Sequence, residues 1–286
     1  MSGSAPRIRR GFVEIDEGQV HYREAGKRTA GMPTLVMLHA SPGSAKTLEP
    51  LMRALAAHRH VIAPDTLGNG DSAPPLGDTV ELPYFAGAHL RAIRALGIDR
   101  CDLYGTHTGG NIAIEIALAE PQRVRALILD GVSLYTDAER DDMLANYLPK
   151  VTIDAFGSQF HLLWNFVRDV YLFWPWYRRD AAHRRAVGMP GADDLHEKAL
   201  EVLKAATTFH IPYRAALAYR KELRIPLLRV PTLLACAEND MLLEYLPRVR
   251  ELLPAAESVV TRGVGSAEAA AETARAFESF LDRQQR

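Results

Sequence analysis

Cysteine is scarce in this 286-residue chain: there are two, Cys101 and Cys236. Both lie in apolar runs that read as central strands. They are therefore expected to be reduced core residues, as in a cytoplasmic protein, not a bridge. No Cys-x-x-Cys occurs, and no histidine pair has helical ligand spacing beside a third ligand. That leaves no sign of zinc or of any other metal, and no motif calls for a cofactor. Long apolar runs are missing too: none reaches the length of a membrane span. The opening segment MSGSAPRIRR has no apolar stretch of the kind a signal peptide needs. Charge of one sign is also lacking, with 34 basic against 35 acidic residues and a formal net charge of −1. Nothing electrostatic then points to nucleic acid or an anionic membrane as partner. The small basic cluster Arg7, Arg9 and Arg10 reads as part of a solvated, flexible tail.

What is present is alternation. Residues 12–16 and 19–24 alternate in polarity around Glu17 and Gly18, which predicts a hairpin. Short apolar runs follow at 35–38, 61–63, 102–104, 126–129, 232–235 and 258–260. Stretches with a 3.6-residue apolar period lie between them at 48–57, 85–96, 112–119 and 267–281. Strands and helices in this order predict an α/β fold with a mostly parallel sheet covered on both faces. The pattern breaks over residues 133–225, where no convincing strand occurs and aromatic residues such as Phe156, Phe160, Trp164, Phe166, Trp174 and Trp176 are dense. This segment is expected to be an inserted helical cap over the sheet's carboxyl edge, where open α/β sheets bind ligands. Residues 1–132 and 226–286 then form the core. The stretch 162–177 is apolar, but Arg168, Asp169 and Pro175 interrupt it and it is too short to span a membrane.

The turn Gly105-Thr-His-Thr-Gly109 joins a strand directly to a helix. Here the chain resembles the α/β-hydrolase family, whose nucleophile elbow reads G-x-S-x-G, with Gly105, Gly109 and Gly110 matching. Glycines flank such a turn because side chains there collide with the neighbouring strand and helix. Three further segments carry the resemblance, in the right order. His39-Ala-Ser-Pro-Gly43 is similar to the H-G-x-P-G loop. Pro64-Asp-Thr-Leu-Gly-Asn-Gly-Asp-Ser72 matches the P-D-x-x-G-x-G-x-S turn. Ala237-Glu-Asn-Asp240 matches the turn that carries the family's acid, which falls on Asp240.

Two departures matter more than the matches. The elbow residue is His107, where the family has its serine, and Ser266 stands where the family has its histidine. No histidine follows His210, so the ordinary Ser-His-Asp reaction has no residues to run on. An imidazole at a helix N-terminus is expected to tend toward the neutral form, which can accept a proton or attack a carbonyl. By the resemblance, the N–H groups of Thr108 and Ser41 remain as donors to a developing oxyanion. Three chemistries follow: His107 as general base, His107 as nucleophile through an acyl-imidazole, or Ser266 as nucleophile deprotonated by His107. The substrate expected is a small, mostly apolar carbonyl compound, such as an ester, a lactone or a diketone. The competing reading is a ligand-binding relative, receptor or carrier, with no turnover. The state of the ring separates them. A catalytic imidazole has one nitrogen fixed by an acid and the other free, whereas a binder's has both satisfied by protein.

Other residues have plainer expectations. Asp240 either pairs with His107 or caps the helix that begins near Met241. Asp130 ends the sixth strand as a second acid or as a capping residue. His39 is a candidate at the oxyanion loop, chiefly as a hydrogen-bonding support. Thr106 and Thr108 flank His107 and need to be small. Among the histidines His161, His183, His196 and His210, the first and last sit beside aromatics and are candidates to face the pocket.

Overall fold

Alternate side chains of the central strands feed two separate cores, and that division builds the layers of the molecule. A computed structural model describes residues 6–284. The strands are β1 (Arg9–Ile15), β2 (Gly18–Ala25), β3 (Thr34–Leu38), β4 (Val61–Pro64), β5 (Cys101–Thr106), β6 (Val124–Asp130), β7 (Thr232–Ala237) and β8 (Glu257–Thr261). The helices are α1 (Glu49–Leu55), α2 (Leu82–Ala95), α3 (Thr108–Ala119), α4 (Asp137–Asn146), α5 (Ser158–Leu172), α6 (Ala192–Lys204), α7 (His210–Ala218), α8 (Lys221–Arg224), α9 (Leu246–Leu252) and α10 (Ala267–Arg283). In β3, Leu35 and Met37 join one cluster with Leu51 of α1 and Phe277 of α10. Val36 and Leu38 turn the other way, into a cluster with Phe85 of α2, Ile112 of α3 and Val249 of α9. This period of two, buried on both faces, marks a central parallel strand.

The sheet runs β1-β2-β4-β3-β5-β6-β7-β8. The β1–β2 and β2–β4 pairs are antiparallel, and the remaining pairs are parallel. The chain steps outward from β3 to β4, then crosses back to place β5 on the other side of β3. The strand order reverses there, and the carboxyl ends of β3 and β5 open a crevice at the reversal. Four loops meet at that edge, those leaving β3, β5, β6 and β7.

The hairpin forms as expected, but it begins earlier than the polarity pattern implied. Arg9 and Arg10 are strand residues opposite Glu24 and Arg23, so the solvated-tail reading is wrong for both. Backbone pairing with β2 holds them, and Arg9 lies 3.9 Å from the Glu24 carboxylate. The reading of the opening segment as free of an apolar leader rests partly on residues 1–5, which lie outside the described residues. Cys101 and Cys236 are buried free thiols on β5 and β7. Burial pushes the Cys101 thiol up to about 12, so it stays protonated and inert.

Between β6 and β7 the chain is helical, with a single isolated bridge between Phe173 and Arg184. These helices have an apolar cluster of their own, which includes Tyr147, Phe166, Trp176 and Phe209. Tyr147 sits edge-on to Phe166, Trp174, Trp176, Tyr177 and Tyr213. Not every aromatic of the segment packs inward: Phe156 is 94% exposed and Phe160 56%. Polar ties fasten the segment to the sheet loops, Ser44 Oγ donating to Glu201 (2.5 Å) and Thr208 Oγ1 to the Gly68 carbonyl (2.7 Å). No described helix is long and apolar enough to cross a membrane.

Asp102 centres an ionic cluster wholly inside the fold, with Arg59 Nη1 3.6 Å from its Oδ2 and Arg125 in closer contact. Asp102 of β5 receives Arg125 of β6 through two contacts, Nε to Oδ1 at 2.7 Å and Nη2 to Oδ2 at 2.5 Å. Arg125 Nη1 also donates to the Leu281 carbonyl of α10 at 3.0 Å. Replacing Arg125 with Met leaves the buried carboxylate with Arg59 alone, at 3.6 Å, and the expected loss is about 3 kcal/mol in urea unfolding. The double variant with Asp102→Leu is expected to recover part of it, since it also takes from buried Arg59 its partner. A loss that persists undiminished in the double variant would mean that Arg125 acts through α10 alone.

Candidate active site

The elbow places His107 by backbone strain. Its φ of 51° and ψ of −113° make it the only non-glycine residue with positive φ among the described residues. Such a conformation costs about 1–3 kcal/mol and persists only where its surroundings impose it. The imposition is visible. The His107 N–H donates to the Asp130 carbonyl at 3.0 Å, and its own carbonyl accepts from the Asn111 N–H at 3.1 Å. Two residues on, a Cβ at Gly109 would lie 2.2 Å from the Leu38 carbonyl oxygen, so α3 starts pressed against β3 only because no side chain is there.

From this turn the imidazole reaches across the end of β6 to the loop after β7. His107 Nε2 lies 2.7 Å from Asp240 Oδ2. The other Asp240 oxygen, Oδ1, accepts from the Leu242 N–H at 2.8 Å. Asp240 therefore both orients the ring and caps the turn that follows it. A proton on Nε2 leaves the lone pair of a neutral ring on Nδ1, which has no hydrogen-bond partner among the described residues. Gly131 makes the bridge feasible. A Cβ on it would lie 2.7 Å from His107 Nε2 and 3.2 Å from Asp240 Oδ2, and its φ is +68°.

The electrostatics correct one expectation. Burial pushes the His107 imidazole down, but the Asp240 carboxylate, with help from Asp130, outweighs it and lifts the pKa above its ordinary value. The helix N-terminus does not decide the charge; the carboxylate in contact does. Burial acts on Asp240 in the opposite sense, yet His107, the Leu242 N–H and Arg185 hold its carboxyl below the usual range. Asp130 is pushed up to about 6 by burial, although the Tyr104 hydroxyl donates to it at 2.8 Å. It stands near the ring as a second, weaker acid.

A cavity of about 40 Å³ adjoins the ring and is lined by Ser41, His107, Thr108, Asn111, Gly131, Ser133, Tyr135, Trp174, Tyr213, Ala216, Leu217 and Leu242. That is room for about one water molecule. Thr108 is the first residue of α3, so its N–H has no acceptor within the helix. The Ser41 hydroxyl oxygen is buried without a partner. Both residues line the cavity beside His107.

The expected residues therefore divide. His107, Asp240, Thr108 and Ser41 come together. Ser266 does not: it is exposed, at the N-cap of α10, with its Oγ accepting from the Ala269 N–H at 3.1 Å. The exchanged Ser266–His107 pair is thus overturned, because the hydroxyl serves a helix terminus outside the cavity. His39 is fully buried beneath the loop. Its Nε2 accepts from the Thr66 N–H and its Nδ1 donates to the Ala40 carbonyl, each at 2.9 Å, so it supports the loop without reaching the cavity. Thr106, His161, His183, His196 and His210 do not line the cavity either. Ser133, Tyr135, Trp174 and Tyr213 line it without having been singled out. The available signal for the first two was their position just past β6, on the ligand-binding edge.

One cluster has the donor types of a cation site: His21, Asp65 and Asp71. Its donors are already engaged. His21 Nδ1 donates to Asp65 Oδ2 at 2.8 Å, and the N–H groups of Ala45 (2.7 Å) and Asp71 (3.1 Å) take the Asp65 oxygens. The cluster fastens the loop after β4 and lies apart from the cavity lining.

Comparison with known proteins adds a family, two relatives and a solved structure. The alpha/beta hydrolase fold family model matches residues 33–266. The 2-hydroxy-6-oxononadienedioate/2-hydroxy-6-oxononatrienedioate hydrolase of Paraburkholderia xenovorans is 39% identical over 131 residues, which are 42% of this chain and 43% of that one. The 2-hydroxymuconate semialdehyde hydrolase of a Pseudomonas strain is 39% identical over 105 residues, 36% of this chain and 37% of that one. The match thus spans less than half the length of these curated relatives. Among solved structures, a hydrolase from Pseudomonas aeruginosa superposes with a TM-score of 0.70 at 20% identity, covering 95% of this chain and 98% of that one.

The Asp240–His107 contact makes a signed prediction. Asp240→Asn removes the carboxylate that lifts the imidazole and leaves burial, which lowers it. The ring's titration, followed by NMR of its carbon-bound protons, is expected to move to lower pH. A midpoint that stays put or rises in Asp240→Asn would separate the two side chains in solution.

Proposed function

The chain belongs to the α/β-hydrolase family, and from that premise we propose that it hydrolyses a small, mostly apolar carbonyl compound, an ester, lactone or diketone. The observation that carries this reading is the state of the ring: Nε2 held by Asp240 at 2.7 Å and Nδ1 without a protein partner. An imidazole so oriented is a general base of directed lone pair and raised basicity. A water at the ring loses its proton to Nδ1 and attacks the carbonyl carbon, while the N–H groups of Thr108 and Ser41 receive the oxyanion. The relatives named for hydrolysis of an oxononadienedioate and of a semialdehyde support a carbonyl substrate. The general-base role is preferred to an acyl-imidazole because about 40 Å³ beside the ring suits one water. A binder whose ring had both nitrogens satisfied by protein would not leave this acceptor open.

In this reading residues 133–225 are a cap, and Trp174 and Tyr213 are its contribution to specificity. A substrate of ordinary size needs a pocket of about 300 Å³ or more, so these two side chains swing aside for it. The protein acts on a small molecule, without cofactor or metal, and in the cytoplasm.

The test is hydrolysis of a panel of activated acyl esters from pH 5 to 9, with native protein and His107→Ala. The base acts only when neutral, so kcat/KM is expected to rise with pH through a value above the ordinary imidazole pKa. His107→Ala is expected to lose about 100-fold or more. Equal, weak rates in both proteins would remove His107 from the chemistry. An acyl-imidazole trapped by rapid acid quench would replace the base with the nucleophile.

A further inference from the structure

Lys221 is the most deeply buried ammonium among the described residues, with 2% of its surface exposed. Burying a lysine is costly unless an anion is paired with it. No carboxylate lies within ion-pair distance of its Nζ among the described residues. The adjacent Glu222 turns its Oε1 to Arg140 (3.0 Å) and Arg220 (2.5 Å) instead. The hydrogen bond Lys221 does make is to Ser133 Oγ, at 3.1 Å, while its Nζ stands 5.4 Å from the centre of the Tyr135 ring. Ser133 and Tyr135 both line the cavity that His107 lines. An apolar residue would fill this place at less cost, so the charge stands where it serves the cavity.

Resting on the general-base reading of His107, we propose that Ser133 is a further catalytic residue, the general acid that protonates the leaving group, with Lys221 as the positioning residue that supplies its proton. The geometry gives the reason. A hydroxyl whose oxygen accepts from an ammonium turns its own hydrogen elsewhere. Ser133 lines the cavity, and the other group beside its hydroxyl is the phenol of Tyr135, which lines the cavity too.

The proton count closes. Water gives a proton to His107 Nδ1 as its oxygen bonds to the carbonyl carbon. When the tetrahedral adduct collapses, the bond from carbon to the leaving oxygen breaks, and that oxygen takes the Ser133 hydroxyl proton. Ser133 takes one in turn from Lys221 Nζ, and solvent then deprotonates His107 and reprotonates Lys221. Room for the departing group lies next door. Tyr135 also walls a surface cleft of about 390 Å³, with Asp137, Glu222, Arg248 and Glu251 on its lining.

The groups facing Lys221 suit a donor that must also recover its proton. Burial, with Arg140 adding repulsion and Glu222 opposing it, lowers the ammonium to about 8. Tyr135 stays a neutral phenol, raised well above its ordinary value by burial.

The experiment compares ethyl and p-nitrophenyl acetate in native protein, Ser133→Ala, Lys221→Met and His107→Ala. Protonation matters most for the poorer leaving group. The losses in Ser133→Ala and Lys221→Met are therefore expected to reach about 100-fold on ethyl acetate and to be at least tenfold smaller on p-nitrophenyl acetate. The native rate on ethyl acetate is expected to fall above about pH 8, with that limb gone in Lys221→Met. Losses equal for both esters would overturn the relay and leave the base reading untouched. A His107→Ala variant as fast as native protein would overturn the base reading instead. A readout independent of turnover is the NMR titration of the Lys221 side chain. A value near 8 that moves in Ser133→Ala is expected, whereas a value above 10 that ignores Ser133→Ala would overturn the proposal.

Discussion

The hydrogen bond between His107 and Asp240 spans the end of a strand. β5 carries the histidine and β7 carries the acid, and β6 lies between them in the sheet. A contact of 2.7 Å over an intervening strand requires that strand to end in something flat. Gly131 meets the requirement: its backbone turns with φ of +68° directly beneath the two side chains. The same turn delivers Ser133 to the cavity lining, so one constraint sets both the His107–Asp240 pair and part of the cavity wall. The strained elbow is the other half of the arrangement. Hydrogen bonds from β6 and α3 hold His107 in a conformation that few side chains adopt, and this aims the ring along the sheet edge.

Much of this was legible in the residues, and the reason is locality. A turn that cannot tolerate Cβ atoms announces itself through glycines, so the elbow at 105–110 and the loops at 39–43 and 64–72 could be located without coordinates. Strand alternation and helical period likewise act over a few residues, and they predicted all eight strands. What failed depended on partners far along the chain. The charge of His107 was assigned from the helix it opens, whereas Asp240, 133 residues away, dominates it. Ser266 is a site candidate by its position in the family pattern alone. Its immediate text, a serine before the helical run that starts at Ala267, is an N-cap signal that local chemistry would have read correctly. Ser133 and Tyr135 escaped notice because the segment they open looked like the start of an insertion and not the rim of a site.

The helices between β6 and β7 owe their cohesion to Tyr147, around which five aromatic rings are set edge-on. Two of the five, Trp174 and Tyr213, are also cavity walls. Core packing and cavity shape are therefore not separate properties in this segment. A substitution at Tyr147, which does not line the cavity, changes the cavity's shape.

The small volume beside the imidazole has a kinetic meaning. On the proposed reading, a space for about one water admits a substrate only when the aromatic walls part, so productive encounter is scaled by the fraction of time they are open. The second-order rate constant then carries that fraction as a multiplier, beside the fraction of the ring that is neutral. It depends on the stiffness of the Tyr147 cluster as well as on the basicity of the ring. In such a molecule evolution can tune turnover at low substrate by loosening rings that never touch the reacting atoms.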